Sequence, residues 1–79
     1  MIQRTSVPVD DESSIAVVTE QMADGGWAVV ASVTRRSPTG EKIIDLPVSD
    51  ARYSAQAEAE QAGVSQGRDW IERNMPRAA

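Results

Sequence analysis

The sequence predicts an α+β domain in which a three-stranded antiparallel β-meander is covered on one face by a C-terminal α-helix. Three observations support this fold class. The chain has 79 residues, which is enough for a single domain. Its middle part contains β-branched runs separated by turn residues, which is typical of hairpins. Its last third repeats small residues at a spacing of four, which indicates one face of a helix.

The N-terminal segment, residues 1–14, is predicted to be a polar, acidic tail ahead of a single domain at residues 15–76. Its acidic character comes from three consecutive carboxylates at 10–12, which follow Pro8 closely. Consecutive carboxylates do not converge on one point, so we expect no cation site there. Alternating apolar residues within 2–9 allow one extra N-terminal strand.

Three strands are predicted in the middle of the chain, at residues 15–22, 27–35 and 41–48. The first two are separated by an Asp-Gly-Gly sequence at 24–26, which is a strong hairpin signal because tight turns need positive φ. The next two are separated by Ser-Pro-Thr-Gly at 37–40, where proline presets φ and glycine ends the turn. This spacing predicts two consecutive hairpins.

The pairing of the second and third strands follows from their apolar residues. When Arg36 is placed opposite Glu41, three apolar pairs fall on one side of the sheet. These pairs are Val33 with Ile44, Ala31 with Leu46, and Val29 with Val48. Pro47 cannot donate a ladder hydrogen bond, so the third strand is predicted to lie at an edge.

The first hairpin allows two registers. A two-residue loop pairs Val18 with Ala31, whereas a three-residue loop places Ile15 and Val17 on the helix-covered side. Both faces of the second predicted strand are fairly apolar. The sequence therefore does not decide between the two registers.

A helix is predicted from an N-cap at Ser54 to Pro76, which ends it. Gly63 and Gly67 lie on one face of this helix. Each glycine costs about 1 kcal/mol relative to alanine in a helix interior. Two glycines on one face therefore indicate that the helix axis lies close to the sheet. Trp70 and the isoleucine after it are predicted to anchor the far end of the helix.

One set of packing residues resembles a group of small bacterial domains of unknown function. The set comprises Gly26-Trp27 at the start of a strand, then Glu58-Ala59, Gly63, Gly67 and Trp70-Ile71 on the helix. The resemblance covers residues 26–74 and implies a β-meander followed by one helix. It implies no activity, so no functional residue is carried over from it.

Composition excludes several classes of function. The chain has no cysteine and no histidine, which removes disulfides, thiolate metal sites and the commonest general base. Eight basic and twelve acidic residues give a net charge of −4, which disfavours nucleic acid and anionic membranes as partners. There is no apolar run long enough to span a bilayer. We therefore expect a cytoplasmic, non-enzymatic protein with no cofactor, no metal, no membrane contact and no identifiable small-molecule ligand.

The only basic cluster in the predicted domain is Arg35, Arg36 and Lys42 at the tip of the second hairpin. One interpretation is a contact to phosphate groups of nucleic acid. The other is a solvated hairpin tip in which Arg36 and Glu41 form a cross-strand pair. The second interpretation is favoured, because no aromatic stacking partner lies nearby in the sequence.

A second candidate surface is the side of the sheet away from the helix. If Ala31 and Val33 lie under the helix, then Val30, Thr34 and Ile43 face outward. This patch is β-branched and mildly apolar, and apolar patches and free strand edges are common association sites.

The leading hypothesis is an interaction module that forms a homodimer or binds a protein partner through this outward patch or an edge strand. A core made mostly of alanine and valine is thin, so self-association would add stability. One alternative is a nucleic-acid-binding module that uses the basic cluster. A third hypothesis is an accessory subunit that completes a larger enzyme.

Overall fold

The computed structural model describes residues 2–48 and 50–74 and contains a four-stranded antiparallel sheet with one helix packed against it. The strands follow one another across the sheet in the order β1-β2-β3-β4. The elements are β1 (Ile2–Pro8), β2 (Ser13–Gln21), β3 (Trp27–Ser37), β4 (Gly40–Asp45) and α1 (Gln56–Asn74). The predicted α+β class, with its extra N-terminal strand, is confirmed. Within the described ranges, no helix has both the length and the apolar character needed to cross a membrane.

Residues 2–8 of the N-terminal segment form the extra strand, and an ordered turn follows it. The extra strand, β1, pairs with β2 over its whole length. In the turn, Asp10 Oδ1 accepts hydrogen bonds from the backbone N–H groups of Glu12 and Ser13, each at 2.8 Å. A short carboxylate side chain that bonds to backbone two and three residues ahead is a common turn device. Asp10 therefore closes the hairpin between β1 and β2.

The first hairpin adopts the register of the three-residue loop. Val17 lies opposite Ala31, which places it on the buried side of the sheet together with Ile15. Met22 N–H donates to the carbonyl of Gly26 at 2.7 Å, and residues 23–25 form the loop. Gly25 has a φ of +90°. A three-residue hairpin loop needs such a residue at its last position, and glycine adopts this conformation without a steric cost.

The second hairpin largely has its predicted register. Arg36 lies opposite Glu41 and Val33 opposite Ile44. Leu46 N–H donates to the carbonyl of Ala31 at 3.1 Å, which continues the pairing one step beyond β4.

The predicted pair of Val29 with Val48 is wrong. Val48 lies beyond the ladder and is 70% exposed. The chain leaves the sheet after Leu46 and returns at Tyr53, which pairs with Trp27 through two backbone hydrogen bonds of 2.9 and 3.0 Å. Tyr53 therefore takes the place beside the start of β3 that a longer β4 would have reached.

Helix α1 packs on β2 and β3, and every fully buried residue of these two strands is odd-numbered. Its own buried positions are Ala59, Gly63 and Gly67. A Cβ atom added to Gly63 would lie 2.9 Å from the nearest carbons of Val17 and of Val29. A Cβ atom added to Gly67 would lie 2.7 Å from Ile15 Cγ2. Both distances are shorter than van der Waals contact, so the close approach predicted from the glycines is confirmed.

The two ends of α1 are held by different contacts. Near its start, Gln56 donates from Nε2 to the hydroxyl of buried Thr19 at 3.2 Å. The Ser54 hydroxyl donates to Glu58 Oε1 at 3.2 Å, just before the helix begins. At the other end, Trp70 packs against the cluster of Ala31, Val33 and Leu46, as predicted, and Ile71 joins it. The predicted stop at Pro76 lies outside the described residues.

We expect the Gly67→Ala substitution to lower the free energy of unfolding by about 1–2 kcal/mol. Alanine is the better helix former by about 1 kcal/mol. That gain is outweighed because the added methyl overlaps Ile15, and overpacking a core costs about 1–3 kcal/mol. Urea denaturation followed by circular dichroism measures the change.

The matched control is Ser65→Ala on the exposed side of the same helix, where we expect a change within about 0.5 kcal/mol. A Gly67→Ala variant that is more stable than the parent chain would contradict the close helix–sheet approach.

Candidate interaction surface

The sheet has one face under α1 and one face that no described element covers. Residues opposite each other in an antiparallel pair point to the same side, so the register assigns every strand residue to a face. We call the uncovered side the outer face. Its residues are Ile2, Arg4, Ser6, Pro8, Ser14, Ala16, Val18, Glu20, Ala28, Val30, Ser32, Thr34, Arg36, Glu41, Ile43 and Asp45.

Large apolar side chains of the outer face are open to solvent. Val30 is 44% exposed, Ile43 is 64% exposed and Ile2 is 56% exposed. The three residues predicted for this surface lie together on it, since Thr34 is directly opposite Ile43 and Val30 is four residues earlier on β3. A neutral, apolar centre with no layer above it is what an association surface requires.

Sequence reasoning missed the part of the outer face that β1 and β2 supply. Val18 lies directly opposite Val30 and widens the apolar centre. Ile2 and Arg4 extend the face to the β1 edge. The missing signal was the register of the first hairpin, because only the three-residue loop turns Val18 outward.

The charges of the outer face lie towards its margins. Arg4 is on β1 at one edge of the sheet, and Asp45 is on β4 at the opposite edge. Glu20 lies in the row at one end of the strands, opposite Ile2 and Ala28. Arg36 and Glu41 lie opposite each other in the row at the other end. Between these end rows, the centre formed by β2 and β3 consists of small or β-branched neutral residues. A partner that covers this centre would therefore bury little charge.

A proline lies on the open side of each sheet edge, Pro8 within β1 and Pro47 two residues beyond the end of β4. Hydrogen-bonded residues alternate along an antiparallel ladder. Val9 N–H donates to Ser13 at 3.0 Å, so the odd residues of β1 bond towards β2 and Pro8 points to the free edge. Leu46 N–H donates to Ala31, so Pro47 points to the free edge next to β4 by the same alternation. A proline there offers no N–H group to an incoming strand, which weakens edge-to-edge pairing.

The basic cluster is divided by the pleat of the sheet. Arg35 lies opposite Lys42 on the α1 side, whereas Arg36 lies opposite Glu41 on the outer side. Each arginine also has an acidic neighbour. The Arg35 guanidinium lies 3.9 Å from the carboxylate of Glu12, and that of Arg36 lies 3.7 Å from the carboxylate of Glu41.

Two concave regions flank the sheet. A polar hollow of about 170 Å³ lies between the two turns at one end and is lined by residues that include Asp11, Arg36 and Glu41. A wider groove of about 360 Å³ lies between β1 and α1, with Val7 and Val64 among its lining residues. In the described parts of the chain, no three His, Cys, Asp or Glu side chains are grouped to hold a metal ion.

Comparisons with known proteins give no further assignment. No protein-family model matches the chain, no curated protein matches it, and no solved structure matches its fold. Of the resemblance to small bacterial domains, the structure shows only the fold, which is an antiparallel meander followed by one helix.

We expect replacement of both Arg35 and Arg36 by alanine to lower the free energy of unfolding by less than about 1 kcal/mol. Both ion pairs are long and solvent-exposed, and such pairs contribute little because water and salt screen them. Thermal denaturation of the double variant measures the change, and a loss several times larger would show that these pairs are structural.

Proposed function

We propose that this chain is a non-enzymatic interaction module that associates, with itself or with another protein, through the outer face of its sheet. The observation that carries the proposal is the set of exposed apolar side chains Ile2, Val30 and Ile43 on a face that no described element covers. In a sheet with one buried face, the solvent side normally carries alternating polar residues. Here the two central strands present valine and alanine on both sides.

The shape of the sheet favours its face over its edges as the contact surface. Pro8 and Pro47 weaken strand addition at the two edges. The outer face has no such protection at its centre, where Val18 and Val30 are adjacent. Sheets with apolar faces pack against each other about 10 Å apart with their side chains interdigitated.

Composition supports the non-enzymatic part of the proposal. The chain lacks histidine and cysteine, and its one lysine, Lys42, lies in an edge strand. Serine and threonine nucleophiles normally need an adjacent base, and no histidine is available to act as one. Cytoplasmic location and kinship with small bacterial domains of unknown function stay predictions. So does a role as an accessory subunit of a larger enzyme, which would use the same face.

We expect Val30→Lys to abolish self-association while leaving the fold intact. A lysine at the centre of the outer face would place a charge in the contact, and an unpaired charge is costly to bury. Sedimentation equilibrium over a wide concentration range measures association, and circular dichroism verifies the fold. Val48→Lys is the matched control, because it makes the same change at an exposed valine beyond the ladder.

Two results would contradict the proposal in its self-associating form. One is a parent chain that stays monomeric at millimolar concentration. The other is equal weakening by Val30→Lys and Val48→Lys.

Binding to short oligonucleotides, followed by fluorescence anisotropy, tests the main alternative. Salt-dependent binding that is weakened when Arg35 and Arg36 are both replaced by alanine would favour the nucleic-acid hypothesis.

A further inference from the structure

The charge pattern of the outer face identifies a specific occupant. We infer that a second copy of this chain packs on the outer face about a two-fold axis parallel to the strands, so that Arg4 of each copy lies next to Asp45 of the other. The inference rests on the proposed function, since it specifies the partner and the orientation for the same surface. It follows from where the charged and apolar residues lie on the sheet.

The positions of the two charges give the first argument. Arg4 is on β1 and Asp45 is on β4, and these strands form opposite edges of the sheet. A two-fold axis parallel to the strands, between the two sheets, places β1 of one copy over β4 of the other. We call a set of directly opposite residues across the four strands a row. At each margin, Arg4 of one copy then lies one row away from Asp45 of the other, which is about 7 Å along the strand. The long arginine side chain can reach across this offset.

The apolar residues give the second argument. Val18 and Val30 are directly opposite each other on the two central strands. The same axis, passing between those strands, exchanges them, so each Val30 covers Val18 of the second copy. In the row that contains Pro8 and Ile43 at its two ends, each Ile43 likewise covers Pro8 of the second copy. The arrangement therefore matches apolar groups at the centre and at one end of the face.

The other face-to-face arrangement is disfavoured by the same charges. An axis perpendicular to the strands, in the plane between the sheets, places β1 over β1 and β4 over β4. When the middle of one outer face lies over the middle of the other, Arg4 is near Arg4 of the second copy, and Asp45 is near Asp45 of the second copy. Like charges brought together across an interface are costly. With the axis parallel to the strands, the two Glu20 residues, one from each copy, lie in the same row on neighbouring strands, but this row is at the solvent-open end of the face, where their repulsion is screened.

The size of the face predicts a weak dimer. Four strands at a spacing of about 4.8 Å, covered over about six residues in length, give a footprint of about 400 Å² in projection. A standard interface buries about 800 Å² on each partner. We therefore expect reversible association that is visible only at high protein concentration.

Charge exchange in the full-length chain tests the orientation. The variants are Arg4→Asp, Asp45→Arg and the combination of the two, each measured by sedimentation equilibrium at low salt. Either single change brings like charges together at both margins, and we expect each to weaken association about tenfold. The combined change restores opposite charges, and we expect association within about threefold of the parent chain.

Arg68→Asp on α1 is the matched control, because it changes the charge equally at an exposed position away from the outer face. We expect it to leave association within twofold of the parent, and circular dichroism verifies that every variant is folded.

The possible outcomes separate the orientation from the proposed function. Weakening by both single variants, with recovery in the combined variant, supports the inferred dimer. If the single variants associate like the parent while Val30→Lys still abolishes association, the orientation is wrong and the outer-face function stands. If the combined variant is as weak as the single ones, the Arg4–Asp45 contact is overturned. A monomeric parent chain overturns both the orientation and the self-associating function.

Discussion

The close approach of α1 to the sheet is the constraint on which the rest of this structure depends. Gly63 and Gly67 allow the helix backbone to approach β-branched side chains of β2 and β3 directly, with no side chain of their own between. The chain has no phenylalanine and a single leucine, so few large side chains are available to fill a wider gap. A core built from valine, isoleucine and alanine closes only if its two layers come together. Two glycines lower the helix propensity, but they allow close packing of the helix backbone on the sheet. This packing supplies the core contacts that larger side chains make in other proteins.

The small size of the chain also explains why one side of the sheet is open. One helix of 19 residues can cover one face of a narrow sheet, and α1 is used entirely on the side of Ile15 and Val33. The central strands nevertheless have apolar residues on both sides, as the opposed pair Val18 and Val30 shows. Strands that are apolar on both sides usually lie between two layers. The sheet therefore has the composition of a middle layer, while the described chain supplies only one of the layers around it.

The parts of this fold that were predictable from sequence are those fixed by local pairing. In the second hairpin, Arg36 opposite Glu41 aligned the apolar pairs on one side, and the structure has that register. The first hairpin could not be decided, because β3 is apolar on both sides and either loop length buries some valine. Val48 was misplaced because the chain leaves the sheet after Leu46, and Tyr53, which returns from outside the hairpin, pairs with Trp27 at the start of β3. A pairing between residues that are distant in the sequence cannot be predicted from the local pattern of apolar residues.

The outer face also has a part that was predictable from the sequence and a part that was not. Alternation along β3 was sufficient to place Val30 and Thr34 on one surface. The contribution of β1 was missed because a short strand with a polar turn after it has little local preference of its own, and it forms by pairing with β2.

The position of β1 also has a dynamic consequence. It pairs with β2 alone, and α1 packs mainly on the two strands beyond it, which leaves the groove beside Val7 and Val64 open. Elements with few buried apolar contacts open locally at a lower free energy than the global unfolding transition. β1 is therefore expected to exchange its amide hydrogens before the central strands β2 and β3, independently of the helix. Arg4 and Pro8 belong to both β1 and the outer face, so a partner bound there binds only the state in which β1 is paired with β2. Binding therefore stabilises that state, and the protection of the β1 amides from hydrogen exchange increases as more of the outer face is occupied.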